Sequence, residues 1–200
     1  MAFDNPRLPA DDAPAVVAIV GSPRRNGNSS FLVDVALDEL AGRGVAVEKI
    51  VLADHRVLPC QGHDECENLA ACPRDDDAGR LLERMYAADG LILATPVYYE
   101  NVAGQMKVFL DRSCFNNYHE VWLRARAVGL IAVAESTGMD DAIDALSRFV
   151  ALASDHRVRP VAVSGRAYRE GDAERNTALV GEVRGMAKAM AATLLRPPAV

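Results

Sequence analysis

The patterned part of the chain begins with Ala15-Val16-Val17-Ala18-Ile19-Val20, a continuous apolar run that stops at Gly21. A run without polar alternation predicts a strand buried on both faces, as inside a parallel sheet. From Asn28 the spacing turns helical, with Leu32, Val35, Ala36 and Leu40 on one side and Asp34 and Asp38 on another, until Gly42 and Gly44 stop it. The alternation then repeats. Strands are predicted over 45–52, 90–95, 127–134 and 158–163, and helices over 78–88, 103–112, 140–153 and 172–195. In the last helix Leu179, Val183, Met186, Met190 and Leu194 recur at helical spacing and read as a core stripe. Strands alternating with helices predict one parallel sheet covered on both faces, because right-handed crossovers put the helices there. One domain is expected over 15–200, after a loosely packed leader over 1–14.

Composition narrows the function classes. Half of the 200 residues are apolar, enough for one sizeable core. The net charge of −6, with no run of Lys and Arg, argues against nucleic acid or an anionic membrane surface as partner. Apolar runs such as 16–20 and 91–94 are too short to span a bilayer, and 1–14 lacks the apolar centre of a signal peptide. A cytoplasmic protein is therefore expected, its four cysteines serving as thiols or metal ligands rather than in disulfides.

Two segments sit where an open α/β sheet binds ligands. Gly21-Ser22-Pro23-Arg24-Arg25-Asn26-Gly27-Asn28-Ser29-Ser30 joins the first strand to the first helix, so hydroxyls, amides and backbone N–H groups converge on a helix N-terminus. That is an anion site, with Arg24 able to add a charged pair, or else an ordinary turn capped by Asn28 or Ser29. No lysine is present for a P-loop, and Ser22-Pro23-Arg24 puts bulk where a dinucleotide fingerprint needs glycine. Thr95-Pro96-Val97-Tyr98-Tyr99-Glu100-Asn101 ends the third strand and offers flat aromatic surface with backbone donors, or simply a rigid turn with packed tyrosines. Between them the long polar stretch 53–77 holds three of the four cysteines. Loops of such length are usually functional or disordered.

Gly-Ser-Pro-Arg followed by Gly-Asn-Ser, Cys60 and Cys72 with Asp75-Asp76-Asp77, Ala88-Asp89-Gly90, Thr95-Pro96-Val97-Tyr98-Tyr99, and Met106-Lys107 to Asp111-Arg112 together resemble the NAD(P)H-dependent FMN oxidoreductases that include iron–sulfur flavoproteins. The later third, with Glu135-Ser136-Thr137-Gly138 and a Gly171-Asp172 turn, matches more loosely. The resemblance implies an α/β flavodoxin-like three-layer sandwich, its five parallel strands in order 2-1-3-4-5. By it, Ser22, Arg24, Asn28, Ser29 and Ser30 fall where the family holds the FMN phosphate, and Pro96, Val97, Tyr98 and Tyr99 where it holds the ring. Glu135, Ser136, Thr137 and Gly138 fall on the third flavin-lining loop. A homodimer or homotetramer is implied as well, to which the aromatic-rich stretch 115–122, with Tyr118 and His119, would contribute. Lys107 and Asp111 are read as a surface ion pair or an interface contact.

The cysteines depart from the pattern. Where iron–sulfur flavoproteins have a compact set of thiolates, this chain has Cys60, His63, Cys66 and Cys72, so imidazole replaces one sulfur, while Cys114 stands apart. Free thiols without a metal, an iron–sulfur cluster and a zinc site all remain open, with no metal as the expectation. Asp75-Asp76-Asp77 is read as structural, favouring a helix N-terminus, and His55 and His156 as surface residues. The expected activity is hydride transfer from NADH or NADPH through FMN to a quinone, free flavin or other small acceptor. The alternative is an electron-transfer flavoprotein, simple or cluster-bearing, that acts on a protein partner.

Overall fold

The computed structural model describes residues 13–155 and 158–196. The leader expected over 1–14 falls almost wholly outside the described residues, as does His156. The first strand, β1 (Ala15–Val20), pairs in parallel with β2 (Ala46–Val51) and β3 (Gly90–Tyr98). A two-residue strand, β4 (Asn101–Val102), folds back antiparallel on β3. Parallel pairing continues from β3 to β5 (Ala127–Ala134) and from β5 to β6 (Val161–Arg166), giving the order β2-β1-β3-β5-β6. This is the expected five-stranded parallel order, with β4 added beside it.

The alternation inside β1 explains the two-layered core. Val16, Ala18 and Val20 face one side and meet α1 (Asn28–Ala41) and α7 (Thr177–Leu194). Val17 and Ile19 face the other and meet α2 (Ala78–Ala87), α3 (Gly104–Asp111) and α5 (Met139–Ala153). Side chains alternate across a strand with period two, so an unbroken apolar run serves both layers. The stripe Leu179, Val183, Met186, Met190 and Leu194 is buried as expected. Its methionines lie against Gly129 of β5, where an added Cβ would stand 2.8 Å from Met186 Sδ and 2.9 Å from Met190 Sδ. No helix among the described residues is long and apolar enough to cross a membrane.

Four elements differ from the expected pattern, the two strands because tertiary pairing overrides local signal. β3 runs on to Tyr98, past the apolar residues, because Pro96 pairs with Val133 and Val97 with Val102. β6 begins at Val161 and takes in Ser164, Gly165 and Arg166, because the free edge of β5 selects the register and an edge strand tolerates polar residues. A short helix, α4 (Cys114–Tyr118), follows α3. The last helical region divides into α6 (Asp172–Arg175) and α7 at Asn176, whose side chain accepts from Leu179 N at 3.1 Å and caps α7.

Candidate functional site

The loop after β1 is held close to the sheet. Gly21 N donates to Ala94 O at 2.8 Å, and a Cβ on Gly21 would stand 2.6 Å from Met106 Cβ, so α3 closes on the loop only because position 21 has no side chain. Ser22 is buried, and its Oγ accepts from Arg24 N at 3.1 Å. Gly27 is the N-cap of α1, and no side chain caps that terminus. Neither Asn28 nor Ser29 is therefore the capping residue. The first-turn N–H groups of α1 face the loop as open donors beside the buried Ser29 and Ser30, while Arg24 stands exposed on the rim.

Asn28 has a different task. Its Nδ2 donates to Arg169 O at 2.9 Å and its Oδ1 accepts from Ala173 N at 3.1 Å, which pins the loop after β6 against the start of α1. In that loop Asp172 accepts from the backbone of Tyr168 and Arg169 at 3.0 and 2.7 Å. The Arg169 N–H first, then Arg175 and the Tyr168 N–H, hold the Asp172 carboxyl below its ordinary pKa.

The loop after β3 is a two-residue hairpin turn. Tyr98 pairs with Asn101, and the two residues between, Tyr99 and Glu100, have φ of 50° and 60°. A primed turn requires positive φ at both central positions and usually recruits Asn or Gly. Tyr and Glu there store about 1–3 kcal/mol of strain each. The consequence is geometric: Tyr99 projects fully into solvent and Tyr98 is 44% exposed. Beneath them the buried Thr95 accepts from Ala103 N at 3.0 Å and donates to Pro96 O at 2.8 Å.

The turn also joins the loop after β5. Thr137 Oγ1 donates to Glu100 Oε1 at 2.7 Å. Gly138, with φ of 81°, caps α5 so close to the turn that a Cβ would be 2.7 Å from Glu100 Cα. Glu135, Ser136 and Thr137 are exposed, and Ser136 O accepts from Arg166 Nε at 3.1 Å. An open cavity of about 380 Å³ lies between Glu135, Arg166, Tyr168, Asp172 and Arg175. The expected residues thus gather at one edge of the sheet, on the loops after β1, β3 and β5, and the loop after β6 is added by Asn28.

The cysteine loop is anchored by a buried ion pair between Asp76 and Arg112, whose side chains are 0% and 2% exposed. Asp76 also accepts from Leu58 N at 2.8 Å and Ala78 N at 3.1 Å, and Arg112 donates to Leu58 O at 2.9 Å and to Cys72 Sγ at 3.2 Å. Burial pushes the Asp76 carboxyl up, but Arg112 and the two backbone donors outweigh it and hold the pKa below the ordinary value. Asp77 accepts from Arg56 N at 2.8 Å and faces His55 at 3.8 Å, so His55 has an acidic neighbour that its sequence context did not signal. Lys107 and Asp111 form the exposed ion pair that was one of their two readings.

Of the candidate ligands, Cys60 and His63 are exposed, Cys72 is half-buried against Arg112, and Cys66 is buried. Burial, then Cys72 and Cys60, raise the Cys66 pKa. Among the described residues no three His, Cys, Asp or Glu side chains come together as a metal-binding group. Phe115 and Trp122, from the stretch expected at a subunit contact, are half-buried and line a cavity with His119.

The profile of the family described as NADPH-dependent FMN reductase matches residues 14–168. The chain belongs to this family. The chain is also similar to curated proteins: an iron–sulfur flavoprotein of Methanocaldococcus jannaschii is 44% identical over 98 residues, 49% of this chain and 51% of that protein. Another, from Archaeoglobus fulgidus, is 37% identical over 127 residues, 64% of this chain and 57% of its own length. The matches therefore span about half the length of these relatives. Among solved structures, RosB with a bound 8-demethyl-8-formylriboflavin-5'-phosphate intermediate superposes with a TM-score of 0.72 at 18% identity, covering 94% of this chain and 82% of that one. At that identity the likeness establishes the flavodoxin-like fold alone.

The residues missed from sequence were those whose partners are distant. Nothing local distinguishes Asp76 from its acidic neighbours, and Arg112 lies 36 residues away. Replacing Arg112 by Met should cost about 3–5 kcal/mol in urea unfolding at neutral pH, because Asp76 stays buried without its partner. In the wild type, the Asp76 contribution is complete above the unfolded carboxylate pKa of about 3.9 and is lost as pH falls through the lower folded value. Equal urea midpoints for Arg112→Met and wild type would show that the pair does not anchor the loop.

Proposed function

We propose that this chain binds FMN across the loops after β1, β3 and β5 and works as an NAD(P)H-dependent oxidoreductase on a small acceptor such as a quinone or free flavin. The observation that carries the reading is the uncapped N-terminus of α1, opening between buried serines and Arg24 on a chain of the FMN reductase family. The donor set fits a flavin mononucleotide. Open N–H groups at a helix terminus take a dianionic phosphate, with Ser22, Ser29 and Ser30 as hydroxyl donors and Arg24 as the mobile charge. Asn28 contributes its backbone N–H, since its side chain is engaged with the loop after β6.

Pro96, Val97, Tyr98 and Tyr99 form the wall for the ring, and the strained turn fixes that wall without a ligand present. Glu135, Ser136, Thr137 and Gly138 close the opposite side, held in place by Glu100. Bound FMN supplies the chemistry, taking up hydride and passing electrons onward. The chain's own residues bind, orient and shield, and none of them is assigned a proton transfer. Assembly as a homodimer or homotetramer completes the proposal, with Tyr99 at 104% and Tyr118 at 57% exposure as aromatic surface available to a second copy.

A second reading, an electron-transfer flavoprotein with a cluster, is favoured by the iron–sulfur flavoprotein relatives. The donors as they stand do not fit it: His63 stands where the pattern has a thiolate. We therefore propose FMN without a stoichiometric cluster.

Arg24→Ala should weaken FMN binding by about 1–3 kcal/mol, measured by flavin fluorescence, and unchanged affinity would remove Arg24 from the site. In an oxygen-free preparation, NADH or NADPH should bleach the flavin rapidly and a quinone should restore it. Slow bleaching with rapid exchange to a protein acceptor would favour the carrier. Iron and sulfide in stoichiometric amounts from the same preparation would overturn the cluster-free assignment. Light scattering at micromolar concentration should give a mass above the monomer, and a monomer would end the proposed assembly.

A further inference from the structure

Among the described residues three other than glycine have positive φ, and two of them, Tyr99 and Glu100, form the centre of the turn after β3. Tyr99 has a place in the proposed ring wall. Glu100 has none, although at its φ of 60° glycine would hold the same turn without strain. Strained residues persist only where the rest of the structure over-determines them, and they cluster at ligand sites. Glu100 Oε1 accepts from Thr137 Oγ1 at 2.7 Å, and Gly138 lies so close that an added Cβ would stand 2.5 Å from Glu100 Oε2. The carboxylate is therefore held at the joint between the two loops proposed to flank the flavin ring. Its charge is not neutralised there. None of the ion pairs among the described residues includes Glu100, whereas Asp54, Asp76, Asp77, Asp111 and Asp172 each have a cation within reach. Arg166 touches the loop after β5, but it donates to Ser136 O.

We propose that Glu100 tunes the bound flavin: its anchored, unneutralised carboxylate makes the chain hold reduced FMN less tightly than oxidised FMN, and so lowers the potential of the bound couple. The inference rests on the flavin reading above. A hydride brings two electrons and one proton, so the ring that accepts it gains one unit of negative charge. A neighbouring carboxylate opposes that gain, while the neutral ring of oxidised FMN is little affected by it. The lower potential enlarges the driving force with which the electron pair then leaves for a quinone or free flavin. The strain at Glu100 is thus retained for a charge that glycine cannot supply.

Glu100→Gln separates charge from anchoring, because the amide oxygen still accepts from Thr137 and only the charge is lost. Anaerobic spectroelectrochemistry on the full chain loaded with FMN gives the midpoint potential, and fluorescence titration gives the dissociation constant of oxidised FMN. Together they yield the affinity for reduced FMN. Wild type should bind the reduced form more weakly than the oxidised one. In Glu100→Gln that gap should narrow by about threefold to tenfold, tenfold being a positive shift of about 30 mV for a two-electron couple. Glu100→Gly removes the charge and relieves the turn, so its potential should rise as well, while the flavin-free chain unfolds at a urea midpoint equal to or above that of wild type. A residue kept only for the fold would do the opposite, lowering the urea midpoint and leaving the potential unmoved, and that result would overturn the proposal. Equal potentials in wild type and Glu100→Gln would overturn it too, with the flavin reading left standing. Failure of wild type to take up FMN would end both.

Discussion

Because both faces of the sheet are covered, the interior strands satisfy their backbone groups within the sheet and their side chains within two cores, and only the strand ends remain free for chemistry. β1 shows the constraint most directly: Val16, Ala18 and Val20 belong to one core, Val17 and Ile19 to the other. Parallel pairing then sends all the carboxyl ends to one edge. Four loops meet there without any one of them being long. The candidate flavin site is in this sense a by-product of two-sided burial, and its position is shared with other open α/β sheets.

What distinguishes this edge is how tightly its loops are tied to each other. Gly21 lets α3 approach the first loop, Asn28 clamps the loop after β6, and Glu100 holds Thr137 while Gly138 passes within van der Waals reach of its backbone. The strained pair Tyr99 and Glu100 is kept by these contacts rather than by local preference. A site built this way is preorganised: the ordering cost is met during folding, and a ligand need not meet it again on binding.

The cysteine loop is fixed by different physics. It has little apolar surface to bury, and it is held by charge, through Asp76 and Arg112 in a dry environment and Asp77 on the Arg56 backbone. Such a pair adds little net stability over a well-packed apolar alternative, but it specifies a single arrangement, because either charge alone would be buried unpaired. The same arrangement brings the Arg112 guanidinium onto Cys72 Sγ, and nearby the buried Arg74 Nε has no hydrogen-bond partner.

The sequence by itself determined the alternation of strands and helices, and with it a parallel sheet covered on both faces, because continuous apolar runs, helical stripes and glycine stops are local signals that two-sided burial makes unambiguous; the strand order was what the family resemblance implied, and the sheet has it. It also placed Ser22, Arg24 and the 95–101 turn at the ends of strands and Ser29 and Ser30 at the start of the first helix, since a loop between a strand and a helix has only one edge to occupy. Only the tertiary structure decided the pairings between distant residues. Asn28 reads locally as a cap and instead bridges to Arg169 and Ala173; Asp76 accepts from Ala78 N at the start of α2, as a helix-terminal acid does, and also pairs with the distant Arg112; Phe115 and Trp122, read as part of a subunit contact, line a cavity with His119. The physical reason is the same in each case. Side-chain hydrogen bonds, ion pairs and packing depend on groups brought together only when the layers close, and no spacing along the chain encodes that distance.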